Sequence, residues 1–445
     1  MRKLSITLIY NNKNFLEFIN SSNIKSSHNN NVVYSYIEEI DHNSYKSLFQ
    51  EIKDIKSWFY FNTPFENKSF LAFGNLFENA TGKISKHAFN LDIRIPTFFG
   101  GAMFPIPQKT DLWNDYKTEE WFVPEFILMK NQNRYFLVTN LNYAILKTPD
   151  ISTRLLRRLK ELTGVAVQND NDTNLPSDSV NFYAWRIQVE SALDQIKKGY
   201  ADKVVLARYL AKPIKKEAEV SQIILNLEER YPDCYIYLWR RNSSLFFGAS
   251  PEKFISIRES KLSIDALAGS AKRATDKNED DKIADFLLND SKNLYEHNAV
   301  LSYILDKIKD YASDISHPAR PRIKKLRNIQ HLWTPVTAVI DKNTDADELI
   351  NRLFPTPAVC GLPKERALEI IENLETFDRG LYSGILGWKD AKGNAELTVS
   401  IRSGLIKNRL LYLFAGCGIV DGSDSEEEFK ETELKLKPIL NLFYS

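Results

Sequence analysis

The sequence predicts an α+β fold, on three observations. Its strand-like segments fall into groups with an antiparallel look, long helical segments separate the groups, and strict β-α-β alternation is missing. Residues 1–10, with two basic side chains and a short apolar run broken by Ser5 and Thr7, read as a first strand rather than a leader. Residues 69–73 predict a strand, and 126–130 with 135–139 predict a hairpin that turns through Asn131-Gln-Asn-Arg134. The Asn- and Asp-rich stretch 168–178 is the clearest loop. After it Trp185, Val189, Leu193 and Ile196 keep helical spacing, Gly199 is placed to end that helix, and 203–207 follows as a strand. Further strands are predicted at 235–239, 245–248, 397–401 and 410–414, with helices near 281–310, 364–374 and 426–441.

Composition narrows the function classes. The chain has 445 residues, enough for one large core or two to three average domains, and 43% hydrophobic with 26% charged residues is ordinary soluble composition. Lys plus Arg (59) nearly cancels Asp plus Glu (58), so nothing points to nucleic acid, and selectivity for a charged ligand must be local. Cys234, Cys360 and Cys417 are odd in number and widely spaced, which argues against a disulfide scaffold or a structural zinc site. No run approaches the ~18 apolar residues of a membrane span. A cytoplasmic protein is expected.

The tail carries the most chemistry. In a helix over 426–441, Glu428, Glu431 and Lys435 share one face, and a second stripe of Phe429, Glu433, Leu436 and Leu440 would carry the packing. Such a face can hold a hard cation through oxygen and an anionic group through nitrogen. Equally, Ser425 and Glu428 fit a capping box, which would leave the other charges as solvated surface. Gly416-x-Gly418 fails as a dinucleotide fingerprint, because the third glycine position is Asp421. The two glycines either let backbone N–H groups approach an anion or form a tight turn.

Other segments combine small residues with single chemical groups. They are 201–208 with Lys203, 247–252 ending in Glu252, 266–273 with Ala268, Gly269 and Ser270, and 294–297 with Glu296. Further on come 328–335 with His331, 354–361 with Ala358, and 380–388 with Tyr382. In this order, with Ser400-Ile-Arg402-Ser-Gly404 and the tail, the series resembles the chorismate-utilising enzymes: anthranilate synthase large subunit, aminodeoxychorismate synthase, isochorismate synthase and salicylate synthase. The likeness covers about 180–440, and Phe98-Phe-Gly-Gly-Ala-Met-Phe104 also looks like the family's pattern.

The resemblance implies a single large domain, a β-sandwich covered by helices on both faces, with the site between the layers. Residues 1–170 would be a divergent half of that fold and 180–445 the catalytic region. It implies Lys203 as the base that activates water and Glu252 as the acid, where ammonia-using anthranilate synthases lack such a lysine. Ala268 stands where aminodeoxychorismate synthases carry a nucleophilic lysine. A lysine is a base near neutrality only if burial or a nearby cation lowers its pKa, and the Val204-Val-Leu-Ala run makes burial plausible. Glu252 must keep its proton, which a poorly hydrated pocket favours.

The resemblance further implies Mg²⁺ held by Glu296 and Glu431 with Glu428 in support. Asn293 replaces a glutamate common in the family, but its amide can still accept a hydrogen bond through water. Tyr382, Arg402, Lys435 and the Gly416 N–H would meet the enolpyruvyl carboxylate, and Gly269 and Ser270 the ring carboxylate. His331 would lie near the reacting face, or be a structural imidazole donating to a carbonyl. Ala358 and Ile401 look like isochorismate synthases, whereas Tyr382 looks more like the salicylate-forming pattern. Isochorismate synthase is therefore expected, acting on chorismate with no glutamine amidotransferase partner and feeding menaquinone or siderophore assembly. Salicylate synthase and a catalytically silent chorismate-binding module are the alternatives.

Overall fold

The computed structural model describes residues 13–20, 32–52, 55–77, 85–88, 95–163, 179–214, 220–341 and 344–444. The first strand and the 168–178 loop expected from sequence lie outside the described residues. The strands of the first half are β1 (Val32–Ile40), β2 (Ser57–Thr63), β3 (Lys68–Phe73), β4 (Ser85–Ala88), β5 (Phe98–Ala102), β6 (Glu119–Phe122), β7 (Phe126–Asn131) and β8 (Arg134–Leu141). Then come β9 (Lys203–Pro213), β10 (Tyr235–Arg241), β11 (Ser244–Ser250), β12 (Lys253–Arg258), β13 (Lys261–Lys272), β14 (Ala312–Ser316), β15 (Arg322–Lys325) and β16 (Ile329–Ile340). The last are β17 (Gly361–Leu362), β18 (Ile385–Lys389), β19 (Ala395–Val399), β20 (Ser403–Lys407) and β21 (Leu410–Ile419).

The helices are α1 (Lys13–Ile19), α2 (His42–Ile52), α3 (Tyr143–Leu146), α4 (Ile151–Thr163), α5 (Phe182–Lys197) and α6 (Val220–Arg230). They continue with α7 (Lys277–Asn289), α8 (Ser291–Ile308), α9 (Ala346–Leu353), α10 (Lys364–Leu374) and α11 (Ser425–Leu440).

Two sheets make a sandwich. One runs β17-β9-β21-β20-β11-β10-β2-β3-β7-β8-β1-β4, and the other β14-β16-β13-β12-β19-β18-β5-β6, with β15 added against β16. Between them Phe59, Phe61 and Phe70 of the first sheet meet Phe99, Leu386 and Trp388 of the second. Leu155 and Leu159 of α4, Ile223 and Leu227 of α6, and Leu436 and Ile439 of α11 cover the outside of the first sheet. Val300 and Ile304 of α8 and Leu349 and Leu353 of α9 cover the second. Among the described residues no helix is long and apolar enough to cross a membrane.

Period two along β21 sets up the site. Leu411, Leu413 and Ala415 enter the outer cluster while Tyr412 and Phe414 enter the inner one. Gly416 and Gly418 continue the inner row, so they face the space between the sheets. They sit in mid-strand, and the tight turn offered as one reason for them is not the one.

Four expectations about elements are corrected. The helix near 281–310 is two helices, because the Asp290 side chain caps α8 by accepting from the Asn293 N–H (2.9 Å). The strand expected to reach residue 401 stops at Val399, and Arg402 takes a left-handed φ of 54° before β20 begins. Asp424, rather than Ser425, is the N-cap of α11 and accepts from the N–H groups of Glu426 and Glu427. The buried face of α11 runs through Glu428, Thr432, Leu436 and Ile439. Glu433 is exposed and pairs with buried Arg208, whose guanidinium stacks on Phe429 at 3.9 Å.

Candidate active site

Where β9 and β21 face β13 and β16, the sheets leave a pocket between them. Glu252, Gly269, Ser270, Glu296, His331 and Ala358 line it from one side. Tyr382, Ile401, Arg402, Gly416, Glu431 and Lys435 complete the wall. Lys203 stands one side chain behind, bonded to Glu296, and Glu428 lies with Glu296 and Glu431 on an adjoining opening. All fourteen residues singled out from sequence thus gather at one place, although they span most of the chain's second half.

Glu252 follows Pro251 in the link between β11 and β12. Its carbonyl is pinned by the Thr398 hydroxyl (2.7 Å) and the Val399 N–H (3.2 Å), which fixes where its side chain enters the pocket. Glu252 is 4% exposed. Burial, aided by the negative charge of Asp265, pushes its carboxyl up to about 8, against the opposing pull of Lys324, Lys203 and Arg402. Near neutrality it therefore holds a proton it can give.

Lys203 opens β9 and is 1% exposed, so the burial expected from its apolar neighbours is observed. Its partner is a carboxylate and not a cation: Nζ donates to Glu296 Oε1 at 2.8 Å. A Cβ at Gly418 would come within 2.6 Å of Glu296 Oε1 and 2.8 Å of Lys203 Cε. The glycine makes room for the pair.

Around the inner end, Arg402 Nη2 donates to His331 Nε2 (3.2 Å). A guanidinium only donates, so Nε2 is the accepting nitrogen, and Nδ1 carries the proton toward Ser270 Oγ at 3.0 Å. Burial and the charges of Arg402 and Lys435 hold the His331 imidazole well below its usual value, so it is neutral. Among the described residues Arg402 Nη1 is buried with no hydrogen-bond partner, a pocket-wall donor suited to an anion. The Tyr382 ring lies against Phe414, with centroids 5.4 Å apart. The β20 ladder ends at Ser403–Phe414, which frees the Gly416 backbone edge, and the Gly416 carbonyl accepts from Lys435 Nζ at 2.8 Å.

At the adjoining opening each carboxylate meets a lysine. Glu296 pairs with Lys203, Glu428 with Lys292 (3.1 Å) and Glu431 with Lys435 (2.6 Å). Burial and then Glu431 push the Glu428 carboxyl up, while for Glu296 burial is outweighed by Lys203, with Lys435 and Lys292 adding to the pull downward. Among the described residues no three carboxylate, imidazole or thiol groups form a ready-made cage. The acidic groups lining this opening are all carboxylates, a set that suits a hard dication keeping several of its waters. Asn293 is not free to replace the family's glutamate. Its Oδ1 accepts from the Ser270 N–H (3.2 Å) and backs the bulge at Gly269, whose φ is +78°.

Sequence reasoning missed two ion pairs beside the pocket. Arg379 and Glu375, both fully buried, are bonded at 2.5 Å, and Arg379 also donates to the carbonyls of Val359 (2.9 Å) and Val205 (2.6 Å) on the pocket wall. Their i, i+4 spacing was the available signal, but it also marks ordinary surface pairs. Asp265 and Lys324 meet behind Glu252, and they lie too far apart in sequence to suggest each other.

The chain was compared with known proteins. It is 32% identical over 352 residues to the isochorismate synthase MenF of Bacillus subtilis, covering 78% of this chain and 74% of the relative. It is 37% identical over 252 residues to the salicylate biosynthesis isochorismate synthase of Pseudomonas aeruginosa, covering 57% of this chain and 53% of that protein. The solved menaquinone-specific isochorismate synthase MenF of Escherichia coli superposes with a TM-score of 0.74 at 21% identity, covering 92% of this chain and 94% of that one, and shares its fold. A family model described as chorismate binding enzyme matches residues 17–444, almost end to end, and the chain belongs to that family.

Proposed function

We propose that this protein is an isochorismate synthase, converting chorismate to isochorismate. One observation carries the reading: the buried Glu252 carboxyl, which burial pushes up to about 8, faces the same pocket as an Arg402 guanidinium nitrogen that has no hydrogen-bond partner among the described residues. The first is an acid for a leaving hydroxyl and the second a seat for a carboxylate. Relatives named isochorismate synthase support the choice.

In the proposed reaction a water oxygen bonds to C2 of the ring and gives its proton to Lys203. The ring double bonds shift, the C4–O bond breaks, and the departing hydroxyl takes the Glu252 proton and leaves as water. Water enters and water leaves, and the proton gained by Lys203 passes through solvent back to Glu252 before the next turnover, so the isomerisation balances. Arg402, Tyr382 and Lys435 hold the enolpyruvyl carboxylate, while Gly269 and Ser270 approach the ring carboxylate. Glu296 and Glu431, supported by Glu428, would hold Mg²⁺, which would supply positive charge for the ring carboxylate. Ala268 offers no amine in the pocket, and a water nucleophile needs no ammonia-supplying partner.

Incubation with chorismate and Mg²⁺, with and without ammonia, followed by product analysis, tests the reading. Isochorismate in both cases is expected. Mainly salicylate with pyruvate would move the assignment to salicylate synthase, and no product would leave a binding module.

A further inference from the structure

Behind Glu252, on the side away from the substrate space, Lys324 Nζ donates to the carbonyl of Pro251 (2.5 Å), the residue that precedes Glu252. The same ammonium meets Asp265 Oδ2 at 3.4 Å. Their side chains are 13% and 3% exposed. Asp265 lies on β13 opposite Pro335, and Lys324 lies on β15, a short strand that pairs only with β16. The ammonium of Lys324 also stands over two rings, with Nζ 5.6 Å from the Trp333 ring centre and 6.0 Å from that of Phe65. Neither residue lines the substrate space, and the chemistry described above uses neither.

A buried ion pair is costly to assemble, and this one spends its geometry on the link that carries the acid. We infer that Asp265 and Lys324 are a positioning pair for Glu252: Lys324 clamps the Pro251 peptide, and the two opposite charges set how tightly Glu252 holds its proton. This rests on Glu252 being the acid. Asp265 raises the cost of ionising Glu252, and Lys324 limits that cost. The other charges that face Glu252 are Lys203 and Arg402, both of which favour its ionised form. Among the charges of the described residues that act on Glu252, the carboxylate of Asp265 acts the other way.

The test follows the Glu252 proton directly. The carboxyl C=O infrared band of the ligand-free protein is titrated against pH and assigned to Glu252 by its loss in Glu252→Gln. Asp265→Asn leaves a bare lysine beside the acid, and the band should vanish about one pH unit or more below the wild-type midpoint. Lys324→Met leaves two carboxylates without the cation between them, and the band should persist to higher pH. Asp265→Glu should restore a near-wild-type midpoint. A merely structural role would admit water in both charge-removing variants and move both midpoints down together, which would overturn the inference. Unmoved midpoints would also overturn it. Because the readout is the proton and not turnover, an active Glu252→Gln enzyme would instead strike at the acid assignment.

Discussion

Lys203 Nζ and Glu296 Oε1 stand 2.8 Å apart in a space that exists because residue 418 has no side chain. Gly418→Ala should therefore fold, since the atoms it displaces are the ends of flexible side chains, but with the pair pushed out of line. Misplacement of about 1 Å costs about 10²-fold. A fall of that size in kcat with little change in Tm is expected, and unchanged kcat would show that the alignment of the pair does not matter.

Loss of the acid or the base should be severe. Each proton transfer contributes typically ~10²–10⁴-fold, so Lys203→Ala and Glu252→Gln should each lose that much isochorismate formation while chorismate still binds. Turnover assays paired with calorimetric binding check this. Rapid turnover by Lys203→Ala without added amine would remove Lys203 as the base.

The raised carboxyl of Glu252 makes a pH prediction with two signs to check. As the proposed acid it works protonated, so kcat/KM should fall above about pH 8. For stability, the native protein keeps this proton to about 8 while an ordinary glutamate loses it near 4.5, so the native state binds more protons between those values. Its contribution is full below 4.5 and declines as pH rises through that window, by at most about 1.4 kcal/mol per pH unit. Glu252→Gln lacks this decline, so the Tm of the variant relative to wild type should climb from pH 5 to pH 8. A constant difference would mean that Glu252 titrates normally.

Arg402→Lys conserves charge but not the fork of donors that leaves Nη1 open while Nη2 holds His331. Hydrogen bonds to charged groups are worth about 1.5–3 kcal/mol, so kcat/KM should fall about 10- to 100-fold. An unchanged value would take Arg402 off the substrate.

Glu431→Gln removes one of the carboxylates at the adjoining opening and leaves Lys435 without its ion-pair partner. It should fold normally and need a higher Mg²⁺ concentration for half-maximal activity. Full activity at limiting Mg²⁺ would release Glu431 from any metal role.

Much of this site is legible in the chain because single chemical groups sit among small residues in a distinctive order. Gly416, Gly418 and Gly269 mark where the backbone or a neighbouring side chain must come close, and Lys203 stands at the start of an apolar strand. What could not be read is what depends on long-range pairing. Glu296 meets Lys203 only because α8 packs on β13 of the facing sheet, and Asn293 spends its amide on Ser270 only because β13 bulges there. Glu433 fits an apolar stripe by spacing, yet it turns outward because buried Arg208 supplies a charge for it to meet. The break at Asp290 was hidden for a different reason: an aspartate can cap a new helix without any glycine or proline to announce it.

The place of β21 between β9 and β20 also governs how the protein can be made. The residues Lys203–Pro213 leave the ribosome long before Leu410–Ile419, their principal strand partner. At ~5–20 residues per second the wait is roughly 10–40 s, and through it an apolar strand has a bare hydrogen-bonding edge. Nascent chains stalled before Leu410 should accordingly be caught by chaperones or aggregate. Lys203 is thus translated well before Leu410–Ile419, the strand that completes the wall beside it.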